Sequence, residues 1–277
     1  MIAIGEFHNL EILRETSVGL FLGDDKGNDI LLPNKYVPDT FEIGDEIRVF
    51  VYLDHEERPI ATTLEPFIYL NDFALLKAVE VNDIGAFVDW GLEKHLFVPF
   101  REQARKMEAG KWYLVHLYLD EQTDRLVGSS KTKNFISNDE LTVNQFDEVE
   151  CVVSRYTDLG IEVIINAKHK GLVYNNEIFE DVKLGERRKG IIKKIRDDHK
   201  IDVSFQQIGY RNIEPTAAKI LEFLNRNKGF VALHDKSSPE DIEAILGMSK
   251  KSFKKAVGSL YKNRQIKIEP NGIHLIK

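Results

Sequence analysis

Residues 159–174 read LGIEVIINAKHKGLVY, and the same frame stands twice earlier, as VGLFLGDDKGNDILLP at 18–33 and IGAFVDWGLEKHLFVP at 84–99. Each stretch opens on a hydrophobic–Gly–hydrophobic step, at Gly19, Gly85 and Gly160, and closes fourteen residues later at Pro33, Pro99 or Tyr174. Eleven residues further on comes a second glycine: Gly44, Gly110 or Gly185. A long strand-like run follows, then an acidic turn (54–58, 120–125, 197–200), then a short last strand. Two offsets held across three copies mark a tandem repeat.

Within each copy the periodicity is that of β-structure. Ile47, Val49, Val51 and Leu53 alternate with Arg48, Phe50 and Tyr52, and Tyr113, Val115, Leu117 and Leu119 alternate with Leu114, His116 and Tyr118. A period of two sets one face inward and the other outward. Five short strands in about 60 residues with glycines at the bends fit a small closed barrel of the OB type. The glycines are expected where a strand curls tightly and has no room for a Cβ. The third copy loses strict alternation over 188–196, and a bulge near Lys193 and Lys194 would bring both Ile192 and Ile195 inside.

The last segment changes period. Ala217, Ile220, Leu221 and Leu224 have helical spacing, and Pro215 suits a first helical turn. Ser238-Pro239 opens a second helix through Ile242, Ile245 and Leu246, stopped by Gly247. Ser249 caps a third, with Phe253, Val257 and Leu260 as its apolar stripe. Two strands, 265–269 and 273–276, flank Pro270-Asn271-Gly272, whose Asn-Gly pair favours a tight hairpin. Three helices and a hairpin make a winged helix. The expected modules are therefore 1–64, 65–134, 135–213 and 214–277.

Composition sets limits. Hydrophobic residues are 43% and charged residues 30% of the 277, ordinary for a globular chain and too apolar for a disordered one. No window approaches the length of a membrane helix, the first 13 residues lack a signal peptide's basic start, and the single cysteine, Cys151, has no partner for an internal disulfide. These features fit a reducing cytoplasm. Net charge is −7, distributed as −8, −2, −2 and +5 over the four modules. The first module is thus the one least expected to touch a phosphate backbone.

The third copy, with Gly160, Gly171-Leu172-Val173-Tyr174, Gly185 and Lys200-Ile201-Asp202-Val203-Ser204, resembles an S1 RNA-binding domain, and Gly85-Ala86-Phe87-Val88-Asp89 in the second resembles the same domain. The order S1, S1, S1, winged helix is similar to the bacterial conserved virulence factor B family, also called YitL-like, across essentially the whole chain. The resemblance implies a mainly β chain: three tandem S1-like OB-fold barrels followed by an α+β winged-helix domain. It also implies single-stranded RNA as partner and a part in post-transcriptional control. An S1 domain stacks bases on outward aromatics. The matching positions are Phe21, Phe87 and Glu162 two residues after the first glycine, and Pro33, Pro99 and Tyr174 at the close of the apolar run. A basic residue opens the last strand: Arg58, Arg125 and Lys200. No copy keeps every position. Glu162 cannot stack.

Phe87, between two inward residues, either stacks a base or packs on a neighbouring barrel. Tyr174 either stacks or caps its barrel. Arg187, Arg188, Lys189, Lys193, Lys194, Arg196 and Lys200 place seven positive charges within 14 residues, expected as a one-sided stripe beside Tyr174 for phosphate contact. Lys250, Lys251, Lys254 and Lys255 share one face of the third terminal helix, a spacing suited to phosphates or to plain exposure. The sequence offers no Arg, Asn or Gln there to read bases, so a sequence-specific DNA regulator is the weaker alternative. A protein adaptor on the ribosome or RNA polymerase, using the acidic first module, is another.

Signs of catalysis are poor. Asp197-Asp198-His199 falls in a turn, where Asp is expected for turn chemistry. The eight histidines lack metal-ligand spacing, and no phosphate loop or dinucleotide fingerprint occurs. Cys151, flanked on its face by Val149 and Val153, reads as a core thiol. The expectation is a non-enzyme with no cofactor and no metal.

Overall fold

The computed structural model describes all residues except 1, 179, 206–214, 228, 235, 263–264, 270 and 277, and omits the side chains of residues 215, 218 and 262. The expected end of the third module at 213 and start of the fourth at 214 lie outside the described residues. The chain divides into two compact units, 1–205 and 206–277.

In the first unit the repeat becomes three five-stranded β-structures. β1 (Phe7–Thr16), β2 (Gly19–Gly23), β3 (Asp29–Pro33), β4 (Glu46–Leu53) and β5 (Pro59–Thr62) close into a barrel in the order β1-β2-β3-β5-β4. β6 (Phe73–Val81), β7 (Gly85–Asp89), β8 (Leu96–Pro99), β9 (Trp112–Asp120) and β10 (Arg125–Ser129) follow the same course in the order β10-β9-β6-β7-β8, with no ladder between β8 and β10. β11 (Glu148–Thr157), β12 (Gly160–Ile165), β13 (His169–Tyr174), β14 (Arg187–Ile195) and β15 (Ile201–Ser204) close again. The second barrel brings β8 and β10 together through side chains without a ladder: a Cβ on Gly128 would lie 2.9 Å from the Val98 side chain and 3.2 Å from that of Leu96. Leu31 pairs with Ile60 and Gly171 with Ile201 across the closing seam of the other two.

The sequence offsets acquire physical meanings. The fourteen-residue spacing is the β2–β3 register: Gly19 faces Pro33, Gly85 faces Pro99, and Gly160 faces Tyr174. A Cβ on Gly19 or Gly160 would lie 2.0 Å from the carbonyl oxygen of Leu32 or Val173. The glycine is needed for a close crossing of two backbones, more than for the curl expected from the sequence. The second glycine sits in a turn. Gly44, Gly110 and Gly185 have left-handed φ of +98°, +84° and +76°. Their N–H groups donate to the carbonyls of Ile12, Ala78 and Val153, where β1, β6 and β11 each bulge. β14 carries a further bulge between Ile192 and Lys194, with Ile192 fully buried and Ile195 packed beside the core.

Alternation predicts an outward face on the long fourth strand of the first two copies. In β4, Phe50 and Tyr52 are nevertheless buried. That outward face meets the second barrel, where Phe50 and Tyr52 pack edge-on against Trp90 at 6.0 and 6.3 Å between ring centroids. In β9, His116 is likewise buried, between Phe73 and Phe135 at 4.5 and 4.0 Å. Phe73 joins Val152 and Ile164 of the third barrel in one apolar cluster. The corresponding pair in the third barrel, Glu148 and Ile191, is exposed and half-buried. Outward apolar residues in the first two barrels therefore form junctions.

The second unit contains α1 (Pro215–Arg226), β16 (Phe230–Val231), α2 (Pro239–Leu246), α3 (Lys250–Lys262), β17 (Ile266–Glu269) and β18 (Gly272–Leu275). The Ser238 hydroxyl accepts from the Asp241 N–H to cap α2, and Gly247 ends that helix at φ +60°. Ser249 caps α3 through the Ser252 N–H. Ile220, Leu224, Ile242, Phe253, Leu260 and Ile273 pack into one core. The short β16, not anticipated from the sequence, pairs with β18 and completes a three-stranded wing sheet.

Candidate nucleic-acid interface

The second barrel sets a pair of aromatic rings on its outer face. Ala86 and Val88 are fully buried, so Phe87 between them looks outward and is half-buried. Directly across the ladder stands Phe97 on β8, its ring 5.2 Å from that of Phe87 and tilted by 36°. Phe97 was passed over in the sequence as part of an apolar run, yet its alternation with Leu96 and Val98 was enough to turn it outward. Both rings border a cavity of about 250 Å³ between the first two barrels, with Ile84, Trp90 and Tyr52 among its walls. Ile84, in the turn before β7, is 61% exposed.

Charge gathers at the rim of this cavity. Arg125, at the start of β10, forms an ion pair with Glu57 from the acidic turn of the first barrel. Lys94 donates to the Asp54 carbonyl of the same turn at 2.6 Å, and its burial pulls the ammonium pKa below the usual lysine range. Phe87 thus borders the neighbouring barrel across the cavity and is half-buried.

The equivalent positions in the other barrels are covered. The Arg14 guanidinium lies 4.0 Å above the Phe21 ring and bonds Asp29 at 2.6 Å. Glu162 is clasped by Arg155 at 2.7 Å and Lys170 at 2.9 Å. Burial pushes its carboxyl pKa up, but the two cationic hydrogen bonds outweigh this and hold it below the usual value. Tyr174 is half-buried, and its hydroxyl accepts from Arg196, which also bonds Asp202 at 2.8 Å. Arg58 is paired with Asp54 at 2.8 Å and Glu56 at 2.9 Å.

The basic run of β14 does not form one stripe. Arg187 turns to the second barrel and bonds Asp72 at 2.6 Å and the Phe73 carbonyl at 2.8 Å. Arg188 bonds Glu186 at 2.6 Å, Lys193 pairs with Glu177, and Lys200 pairs with Asp198 at 2.6 Å. The bulge and the strand's two faces distribute these charges among different neighbours. Among the described residues Lys194 is exposed and has no side-chain partner. On α3, Lys251, Lys254 and Lys255 are exposed and Lys250 is half-buried, while Phe253, Val257 and Leu260 face the core.

Asp197, Asp198 and His199 occupy a turn. His199 has a left-handed φ of +59°, and its Nδ1 lies 2.9 Å from the Asn138 carbonyl oxygen. Cys151 is wholly buried, which pushes its thiol pKa up to about 12 and suppresses the thiolate. Among the described residues no group of three or more His, Cys, Asp or Glu could hold a metal ion, and no helix is long and apolar enough to cross a membrane.

Barrels with outward aromatic positions, joined to a three-helix wing domain with a lysine-faced third helix, define a multidomain nucleic-acid-binding protein. Residues 4–64 match the S1 domain and residues 218–275 the CvfB-like winged helix domain. Uncharacterized protein YitL of Bacillus subtilis is 30% identical over 95% of this chain and 90% of its own length. Conserved virulence factor B of Staphylococcus epidermidis is 27% identical over 99% of this chain and 95% of its own. A solved multidomain protein with nucleic acid binding domains from Streptococcus pneumoniae aligns over 99% of this chain and 98% of its own, at 27% identity and a TM-score of 0.44. The chain belongs to the conserved virulence factor B (YitL) family.

Proposed function

We propose that the chain binds single-stranded RNA in the cytoplasm, catalyses no reaction, and acts in post-transcriptional control of gene expression. The observation that carries this reading is the Phe87–Phe97 pair, two outward rings on adjacent strands beside a cavity. Half-buried outward rings offer a face for a base, and each stacked base contributes about 1–3 kcal/mol. Arg125, at the rim of the same cavity, would meet the phosphate that follows. Tyr174, Lys193, Lys194, Arg196 and Lys200 on the third barrel would supply a second, weaker contact, and Lys250, Lys251, Lys254 and Lys255 a third. Four tethered modules, at 1–64, 65–134, 135–213 and 214–277, would raise the overall affinity through effective concentration. The α3 face offers point charges without the flat amide or guanidinium groups that read base edges, so duplex DNA is the weaker ligand.

A filter-binding panel tests this. Oligo-U, oligo-A and duplex DNA are compared at two salt concentrations with the full chain. Tighter binding to at least one RNA than to the duplex is expected at both salts. A duplex that outcompetes both RNAs overturns the reading in favour of a DNA regulator. Absence of binding to all three turns attention to a protein partner such as the ribosome or RNA polymerase.

A further inference from the structure

We propose that the cavity between the first two barrels holds one unpaired nucleobase by a hydrogen-bond-donating edge, and that Glu57 of the first barrel selects that base. The inference rests on the RNA-binding reading and adds to it a specificity and a role for the acidic barrel.

The cavity belongs to both barrels. Phe87, Phe97 and Trp90 come from the second, Tyr52, Leu53 and Glu57 from the first. Its walls are mostly apolar and aromatic, suited to the faces of a planar ring. It lies over the seam of the second barrel: Leu96 and Phe97 of β8 and Arg125, Leu126 and Val127 of β10 line it on either side of a strand pair that carries no ladder.

Glu57 is firmly placed. It adopts a left-handed φ of +64°, unfavourable for a residue with a Cβ. The turn beneath it is fixed by the Asp54 carboxylate, which accepts from the N–H groups of Glu56 at 2.8 Å and Arg58 at 3.0 Å. Lys94 and Arg125 then fasten the turn to the second barrel through the Asp54 carbonyl and the Glu57 carboxylate. A carboxylate has two oxygens and only accepts, so the Arg125 ion pair leaves acceptor capacity facing the cavity.

That chemistry ranks the bases. Guanine offers N1–H and an exocyclic amino group side by side and can engage both carboxylate oxygens. Adenine and cytosine offer one amino group each. Uracil offers a single N–H flanked by two carbonyl oxygens, which the carboxylate repels. Arg125, exposed at the rim, keeps guanidinium donors beyond the one that pairs with Glu57 and can reach a flanking phosphate. An acidic barrel can therefore serve a polyanion by presenting its charge to a base edge instead of to the backbone.

The test measures fluorescence anisotropy of the full chain with short oligo-U strands carrying one internal G, A or C, against all-U. One guanine should tighten binding about tenfold, the scale of one bidentate side-chain–base contact, with adenine and cytosine between guanine and uracil. Glu57→Gln should erase the ranking from both ends, loosening the guanine strand and tightening all-U as the repulsion of the uracil carbonyls is lifted. Equal affinities for the four strands in the unaltered protein, or a ranking that survives Glu57→Gln, overturn the inference. If Glu57→Gln tightens every strand alike, Glu57 only competes with phosphate for Arg125, and the inference again fails. If the unaltered protein binds none of the strands, it is the RNA-binding reading that has failed.

Discussion

The second and third barrels share a strand register and differ in what they place on it. Two residues after the crossing glycine, the second barrel presents Phe87 facing Phe97, and the third presents Glu162 facing Leu172. Phe87 is left beside a cavity; Glu162 is held between Arg155 and Lys170. The second barrel has an unladdered seam and the third is closed. Where backbones cross, both need glycine. At this outward position, away from the barrel junctions, the fold imposes nothing, and each copy could acquire its own chemistry. Function in a repeat of this kind has to be read from each copy separately.

The largest expected effect probes what the two barrels share. At Gly160 a Cβ would sit 2.0 Å from the Val173 carbonyl oxygen on a backbone of φ +154°; at Gly85 it would sit 2.5 Å from the Val98 oxygen without a positive φ. Gly160→Ala should cost about 4 kcal/mol and Gly85→Ala measurably less, both through backbone displacement. Trp90 and Trp112, the chain's two tryptophans, both belong to the second barrel, so urea unfolding by fluorescence reports on Gly85→Ala. Amide exchange across β12 and β13 reports on Gly160→Ala. Equal tolerance of both substitutions would mean that the crossing is not the common constraint.

The next effect separates the junction residues. Burial pulls the His116 pKa down from 6.5 to about 4, with a partial opposing influence from Asp72, and its Nδ1 has no hydrogen-bond partner. The neutral ring is the folded form. As pH falls below 6.5 the unfolded chain takes up the proton first, so stability declines from pH 6.5 to about 4 and levels below that. The loss amounts to about 3 kcal/mol over that window. His116→Leu should flatten this part of the pH profile of the tryptophan transition, since the corresponding residue of the third barrel, Ile191, does not titrate. An unchanged slope in the variant would place the acid sensitivity elsewhere.

How much of this was legible in the sequence follows from which forces leave a local mark. The three crossing glycines and their fourteen-residue offset were visible because a steric demand between adjacent strands repeats at fixed register. The helix caps at Ser238 and Ser249 were visible because a cap needs only its own turn. Burial of Phe50, Tyr52 and His116 was not visible, since it depends on a second barrel docking against the outward face. The unladdered seam of the second barrel and the dispersal of the β14 charges had no signal either, because they depend on strands and carboxylates distant in sequence, such as Asp72 for Arg187. A further offset went unread: Gly5, Asn71 and Phe146, each fourteen residues before the crossing glycine, all adopt left-handed φ. Three different residue types conceal that shared turn.

RNA affinity sharpens the contrast directly. Phe87→Ala and Phe97→Ala should each weaken single-stranded RNA binding by about 1–3 kcal/mol with little change in folding stability. Glu162→Ala should leave affinity unaltered, and so should Phe21→Ala, whose ring lies under Arg14. The measurement is a titration of each variant with one oligonucleotide, alongside its melting profile. If Phe87→Ala and Phe97→Ala lower the melting temperature and keep affinity, the aromatic pair is packing, and the second barrel loses its distinction from the third.

The smallest effect concerns the basic residue that opens the last strand in both barrels. Arg125 borders the aromatic cavity and reaches across to Glu57; Lys200 is 70% exposed and pairs with Asp198 inside its own turn. A phosphate neutralised by one of these side chains releases counterions, and for single strands the slope of log affinity against log salt changes by about 0.7 per contact. Arg125→Ala should reduce the magnitude of that slope by about this amount for short oligonucleotides that occupy only the second barrel. Lys200→Ala should leave the slope for short strands unchanged and reduce it only for strands long enough to reach the third barrel. The reason is geometric: a phosphate beside a base stacked on Phe87 lies near Arg125, and Lys200 has no aromatic pair beside it to hold a base in place. Equal effects of the two substitutions on short strands would show that both barrels engage RNA independently, and the chemistry at Phe87 and Glu162 would then not decide where binding begins.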